Sequence, residues 1–542
     1  MTLLSAGIEI KEKSLVTNIA RAATGRGATV GKFQWGEPFA VQQVTDEDAQ
    51  VNQLGLPDEY TYSSWYSVSN FLKYANDCRV VRIVNPTYAR NSSPIYNAIT
   101  KNIVSPGAGY TVNDVITVKK GNTTIGTGKV TAVGGSPQGQ ITAFKVDITT
   151  ILLMLEAGTL TESEINGTAS PTTVTYTIAK AASPQTGSTA DINIRINRTN
   201  GVYFENPSKA SDALGGSPNE INRAQYAAES IPSVYGKYVG YYGDDISVVV
   251  ITYADYIANL AAGTITVPIT PDNGTTGYTS AIKLSLFANN GPQTSDQIGI
   301  IVKYKDEIQE VFVVSYKADD KDIFNNNIFI DDFFERDGSA YIAMTSDIPV
   351  TTSMEINLEG GEDNGAVVGN WQTGWDLFDD PETIYVNLLI SGGAASESAA
   401  NATDIMKYVA DNIADVRRDC LFFISPPQSI VVGKSAANAV TDVVEWRKGV
   451  DISNATVTPN ININTSFCVF DGSFKYQHDK YNDKKRWIPL SGDIAGLCAF
   501  TDQVGNVWDS PAGYNRGFIK NVVKLAYDPK RSLRDTLYES QI

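Results

Sequence analysis

The stretch IYVNLLISGGAASESAANATDIMKYVADNIADVRRDCLFFISPP, residues 384–427, decides the fold. IYVNLLI (384–390) is an apolar run of strand length, and CLFFI (420–424) is a second, closed by Ser425-Pro426-Pro427. Between them Ile405, Met406, Val409, Ile413 and Val416 recur at helical spacing and make one apolar face. Two buried strands joined by an amphipathic helix form a right-handed crossover, so the strands run parallel. A second helix follows, with Ala439, Val440, Val443, Val444 and Trp446, and then a third strand, SFCVF (466–470). The segment 350–505 therefore reads as α/β with a mainly parallel sheet.

Upstream, residues 28–84 read as strand, helix, strand. ATVGKFQW (28–35) is the first strand; the helix after Tyr60 carries Trp65, Val68, Leu72 and Ala75; RVVRIV (79–84) is the second strand, closed by Asn85-Pro86. From 99 to 198 the chain turns rich in Thr, Gly, Val and Ile. The alternating runs DVITVKK, TVTYTIA and DINIRIN mark short antiparallel strands of an inserted all-β domain. Residues 200–349 alternate again. PNEINRAQYAAES is helix-compatible, ISVVVITY (246–253) is a buried strand, and IGIIVKY, EVFVVSYKA and NIFIDDFF read as further strands. Residues 1–22 read as an arm. Ile8 and Ile10 alternate with Glu9 and Lys11, the period of a strand that must find its partner elsewhere. The tail from 506 is basic, with Arg516, Lys520, Lys524, Lys530, Arg531 and Arg534, and its last helix is expected to start with Asp528 as N-cap and Pro529 behind it.

At 542 residues the chain exceeds a single core and calls for several domains. Its net charge of -17 opposes binding to nucleic acid or to anionic membrane. No run is long enough for a membrane span, and the opening MTLLSAGIEIKEK lacks the basic start of a signal peptide. Cys78, Cys420, Cys468 and Cys498 are dispersed, which suits buried thiols in a reducing compartment. The single histidine, His478, rules out multi-histidine metal sites and reads as a rim residue.

The apparent motifs fall short of chemistry. Gly433-Lys434-Ser435 ends like a phosphate loop, but Gln428 stands where its first glycine is required. Ser391-Gly392-Gly393 follows a strand where α/β sheets bind ligands, yet a plain turn uses the same small residues. Asp331-Asp332, taken as a strand pair, would point to opposite faces, and Asp379-Asp380 reads as a solvated, capping pair. GGEDNG (360–365) reads as an exposed turn. Lys480, Lys484, Lys485 and Arg486 lie among Tyr476, Tyr481 and Trp487, but Asp479 and Asp483 break the basic run. A structural cluster or a protein interface is the better reading than single-stranded nucleic acid. No catalytic residue, cofactor or metal is expected.

Long, ordered stretches resemble the contractile tail sheath proteins of T-even-like myoviruses. They include TLLSAGIEIKE (2–12), GKFQWGEPF (31–39), NFLKYANDCRVVRIV (70–84), NSSPI (91–95) and SPGAGYTVNDVITV (105–118). GPQTSDQ (291–297), NIFIDDFF (327–334), DVRRDCLFFISPP (415–427), KYQHDKYNDKKRWIPLSGDIAGLCA (475–499) and SPAGYNRG (510–517) complete the series. The resemblance implies a mixed α/β and α+β chain of nested domains. An outer β-rich domain (99–198) inserts into a middle α/β domain (87–98 and 199–349). That domain inserts into an inner α/β sandwich domain (23–86 and 350–505), while the arm 1–22 and the tail 506–542 belong to an innermost domain.

It further implies a virion subunit, assembled in the host cytoplasm into stacked hexameric rings around a tail tube, with baseplate and terminator proteins at the ends. Ile8, Glu9, Ile10 and Lys11 would exchange strands with neighbours, and the basic tail would contact the tube or a neighbour. Members of that family usually run on past the position of Ile542, so this shortened chain is expected to be a monomer in solution. The alternative is another tail or baseplate protein with a sheath-like core.

Overall fold

A computed structural model describes residues 25–92, 98–147, 174–179, 191–197 and 234–542, with short breaks, and a few positions near 160–165. The arm residues Ile8, Glu9, Ile10 and Lys11 and the helix expected near 218–230 lie outside the described residues. The chain divides into two compact units, with cuts after Thr87 and after Asp363. Residues before the first cut and after the second make one unit; Tyr88–Asp363 makes the other.

The first unit starts with β1 (Gly27–Gly31), β2 (Val41–Val44), α1 (Tyr62–Leu72) and β3 (Cys78–Arg82). Asp58 sets up α1 by accepting from the backbone N–H groups of Tyr60 and Thr61, each at 2.8 Å. The helix then buries Trp65, Val68 and Phe71. The expected first strand stops at Gly31, earlier than Trp35.

In the second unit, β4 (Ile246–Thr252), β5 (Thr264–Thr270), β6 (Thr279–Lys283), β7 (Gln297–Tyr304) and β8 (Glu307–Ser315) precede α2 (Ile330–Glu335) and β9 (Met354–Asn357). They form one sheet in the order β6-β5-β9-β4-β7-β8, antiparallel except for the β5–β9 pair. β4 is buried along its whole length. The β-rich segment has its own core, with Ile116, Val118, Val130, Ile141 and Phe144, and its strands 115–120, 123–134, 140–147 and 174–179 share one antiparallel sheet.

One expectation fails here. NIFIDDFF ends in helix α2, not in a strand. Asn327 Oδ1 accepts from the Phe329 N–H and turns the chain, and Ile330 and Phe334, four apart, bury one helical face. Asp331 and Asp332 are therefore helical neighbours. Asp331 accepts from Ser346 and Asp332 from Asn327, so both carboxylates are already spent on local structure.

The chain then returns to the first unit with β10 (Leu388–Ile390), α3 (Ala399–Val409), β11 (Leu421–Ile424), α4 (Ala436–Lys448) and β12 (Cys468–Phe470). These strands complete a sheet in the order β2-β3-β1-β10-β11-β12, parallel throughout except for β2 at one edge. One face packs Trp371, Trp375, Met406, Val409 and Trp446; the other packs Trp65, Phe71 and Phe423.

β10 is shorter than IYVNLLI. The buried Arg417 guanidinium takes the carbonyls of Phe378, Ile384 and Val386, so the first half of that run spends its backbone on a side chain. Arg417 faces inward because a π-turn, Ala410–Ala414, follows α3. One extra residue in the helix rotates everything after it by about 100°. Ile405, Met406, Val409 and Ile413 lie on the buried face as expected, but Val416 swings out to 67% exposure.

Candidate assembly surface

The residues that follow three of the parallel strands are Ser391, Ser425 and Asp471, at the sheet edge where α/β folds bind ligands. Here that edge is filled. The Ser425 N–H donates to Ser391 Oγ at 3.1 Å, and Ser425 Oγ donates to Asp471 at 2.7 Å. Ser491, at the start of the last long helix, donates its N–H to Ser425 Oγ and accepts the Gly392 N–H. Gly392 takes φ +47, and a Cβ on Gly393 would lie 1.9 Å from Ser64 Oγ, so the small-residue turn is a packing requirement. Burial of the Asp471 carboxyl pushes its pKa up to about 8, against which the Ser425 hydrogen bond works.

Beyond this edge stand the hairpin β13 (Phe474–Asp479) and β14 (Lys484–Pro489), the helix α5 (Ser491–Val504), the two-residue strand β15 (Lys524–Leu525) and the helix α6 (Arg531–Glu539). The strands form a sheet in the order β14-β13-β15. Lys475, Gln477 and Asp479 face inward from β13, while His478 is exposed. Lys475 and Asp493 are both fully buried, and the Lys475 ammonium lies 2.8 Å from each carboxylate oxygen. Burial pushes the Asp493 pKa up and the Lys475 pKa down, and each partner pulls the other back.

This pair anchors the tail. Lys475 Nζ also donates to the Lys520 carbonyl at 3.0 Å; Tyr74 Oη donates to the Phe518 carbonyl and accepts the Lys520 N–H. A second buried pair, Arg486 with Asp479 at 2.9 Å, fixes the hairpin tip. Burial raises the Asp479 pKa, but hydrogen bonds from Tyr66, Asn482 and Arg486 outweigh it and hold the carboxyl low.

The basic and aromatic cluster is thus mostly spoken for. Lys480 pairs with Glu47 and Lys484 with Glu59, and Tyr481 packs edge-on against Trp65. His478 lies 3.8 Å from Asp483. At the phosphate-loop mimic, Ser435 caps α4 and Lys434 pairs with Asp442. Asp380 accepts from the Glu382 N–H in its own turn. Cys78 and Cys420 are buried and Cys468 and Cys498 half-buried; burial raises all four thiol pKa values. Among the described residues, no three potential metal ligands gather, and no helix is long and apolar enough to cross a membrane.

The tail cations divide in two. Lys520 donates to the Lys73 carbonyl and Lys524 lies 5.3 Å above the Tyr476 ring, so these two hold the tail down, while Arg516 donates to the Ser510 carbonyl within the tail itself. Lys530, Arg531 and Arg534 stand exposed at the start of α6. The helix begins at Arg531, two residues after the expected Pro529, because the preceding segment stays extended. Val523 and Ala526 donate to the Tyr476 and Phe474 carbonyls, and buried Tyr527 reaches the Gly472 carbonyl. Cations at a helix N-terminus oppose its dipole, so their placement does not serve the helix.

Residues 24–83 match the family model for the N-terminal region of tail sheath protein Gp18 domain III, and residues 365–542 match that for the phage tail sheath protein central domain. The tail sheath protein of Vibrio phage KVP40 is 43% identical over 99% of this chain and 80% of its own length. This chain belongs to the phage tail sheath family. The tail sheath protein of Enterobacteria phage T4 is 40% identical over 100% of this sheath chain and 79% of its own, and that of Salmonella phage ViI is 24% identical over 99% and 76%. Among solved structures, the sheath tail protein of Desulfitobacterium hafniense aligns at a TM-score of 0.40 with 9% identity, over 99% of this chain and 70% of its own. A sheath protein is a structural part of a phage tail and thus of the virion.

Proposed function

We propose that the chain is the repeating subunit of a contractile sheath. Six copies form a ring, rings stack around the tail tube, and a baseplate signal shortens the lattice and drives the tube through the host envelope. The observation that carries this reading is 43% and 40% identity to two tail sheath proteins over essentially the whole chain. The nested layout belongs to the same proposal, with 99–198 outermost, 87–98 and 199–349 in the middle, and 23–86 with 350–505 inside. Baseplate and terminator proteins close the ends, and assembly takes place in the host cytoplasm.

With a net charge of -17, copies repel one another at long range, so cohesion has to come from short-range contacts. The sheet β14-β13-β15 ends at both sides without a further strand among the described residues. Such an edge is the acceptor that an arm strand through Ile8, Glu9, Ile10 and Lys11 requires. Each added strand is weak alone, but covalent linkage within a lattice makes the effective concentration high. Arms that stay paired while the bodies repack would let the lattice shorten without dissociating.

Ile8→Asp or Ile10→Asp, in a form that polymerises, is expected to abolish tube formation in electron micrographs while leaving the circular dichroism of the soluble chain unchanged. Normal tubes from these variants would refute the arm's role. Lys530, Arg531 and Arg534 are the cations placed for an acidic tube or neighbour. Capture by purified tubes is expected to weaken as salt rises from 0.05 to about 0.5 M, over which the screening length falls several-fold. Salt-independent capture would exclude that contact.

A further inference from the structure

In the second unit the chain passes from β6 through the helical turn Leu284–Phe287 to β7, and Asn290-Gly291 lies on that passage. The Asn290 N–H donates to the Phe287 carbonyl at 2.8 Å and closes the turn. Asn290 is exposed, and among the described residues nothing holds its side-chain amide. Gly291 is buried and its carbonyl accepts from Gln293 Nε2 at 2.7 Å, yet its own N–H has no acceptor among the described residues. Backbone N–H groups in buried positions are almost always paired.

A free backbone nitrogen beside a free asparagine amide is a reactive pair. The nitrogen of the following residue is spaced to close a five-membered ring on the asparagine Cγ. Glycine has no Cβ to hinder that approach. Asn91-Ser92 shows the opposite case within the same unit. Asn91 is 1% exposed, and its Nδ2 is tied to the Gly236 carbonyl at 2.7 Å, so its side chain cannot turn.

We propose that Asn290-Gly291 is a self-modifying site, at which the asparagine becomes aspartate and isoaspartate without an enzyme. The Gly291 nitrogen bonds to Asn290 Cγ, the Cγ–Nδ2 bond breaks, and ammonia leaves with the amide proton. Water then opens the succinimide at either carbonyl. One opening gives aspartate; the other gives isoaspartate, in which the main chain runs through the side-chain carbon. This chemistry needs neither a partner nor the sheath reading.

The second product strains its surroundings. Isoaspartate lengthens the main chain by one carbon beside a glycine with no spare room, where an added Cβ would lie 2.2 Å from the Tyr256 ring. Gln293 is held to the Gly291 carbonyl on one side and to Gln297 on the other, and Gln297 is held in turn by Asp320. The longer chain breaks the bond from Gln293 to Gly291 and loosens the entry to β7.

Ageing the purified chain at mildly alkaline pH tests the site. Samples are digested, and aspartate and isoaspartate are assigned position by position by mass spectrometry. Asn166, Asn200, Asn273 and Asn364 also precede glycine but lie outside the described residues, so only site-resolved products count. Free peptides spanning Asn290 and Asn91 give the unprotected rates. Asn290 in the folded chain is expected to convert within tenfold of its peptide, and Asn91 at least a hundredfold slower than its own. The Asn290 rate is expected to rise in step with hydroxide, and Asn290→Gln is expected to fold alike and to lose the product. Protection of Asn290 as strong as that of Asn91 would overturn the proposal, because the fold would then close the site. A rate indifferent to pH would overturn attack by the backbone nitrogen.

Discussion

Lys475→Ala is expected to destabilise the first unit by roughly 3–5 kcal/mol, the range for stranding one charge of a buried pair. The Lys475 ammonium is the only ion-pair partner of Asp493 among the described residues, and both side chains are fully buried. Removing it leaves a buried carboxylate with only the Tyr74 hydroxyl at 3.4 Å and the field of Lys73, which is not in ion-pair range, and it also strips a donor from the Lys520 carbonyl. The loss is therefore expected in two places. Denaturant unfolding should show a lower midpoint, and limited proteolysis should cut the tail near 505–525 faster than in the parent chain. The double variant Lys475→Met/Asp493→Leu is expected to recover most of the stability, because it removes both desolvation costs at similar volume. If the single variant costs less than about 1 kcal/mol, the pair is not the anchor described here.

Asp471→Asn is expected to stabilise the chain at high pH and to leave it unchanged in acid. The carboxyl's pKa stands at about 8 in the folded chain, against an ordinary value of 3.8. The folded state therefore keeps the proton longer than the unfolded state does. Stability falls as pH rises from about 4 to about 8, and is flat beyond that. An amide has nearly the same shape and does not titrate; its one oxygen can still accept from Ser425, at the cost of the longer 3.3 Å bond from the Ser473 N–H. At 1.36 kcal/mol per pKa unit the ceiling is roughly 6 kcal/mol, and relaxation of the site brings the expectation to about 2 kcal/mol at pH 9. Melting curves of both proteins at pH 4, 7 and 9 check the sign. The gap should open between pH 4 and 8, and parallel curves at all three would contradict a buried, protonated carboxyl.

Much of the architecture was legible in the residues because period and length agree there. DVITVKK and DINIRIN alternate, and they are strands; Ala439, Val440, Val443 and Trp446 recur at helical spacing, and they bury one helical face. NIFIDDFF misled because five aromatic or β-branched residues resemble a strand, while the deciding signal was a side-chain turn at Asn327. Val416 misled because a π-turn leaves no trace in hydrophobic spacing except that the pattern breaks after it.

The polar hub was the least legible part. In FKYQHD the polar Lys475, Gln477 and Asp479 are buried along with Phe474, while Tyr476 is only half-buried. What makes that face polar is Asp493, eighteen positions away on another helix, and no local period encodes it. The inward polar alternation Lys475, Gln477, Asp479 was the available hint. The six tail cations looked alike as a sequence, but Lys520 and Lys524 clasp the tail, Arg516 bonds within it, and only Lys530, Arg531 and Arg534 stand on the exposed start of α6.

Immunogold electron microscopy of the phage's own virions, with antibody raised against this chain, tests the sheath assignment most directly. A sheath subunit should be labelled evenly along the tail shaft, and the labelled length should shorten when the tails contract. Gold confined to the baseplate, or absent from the tail, would contradict it.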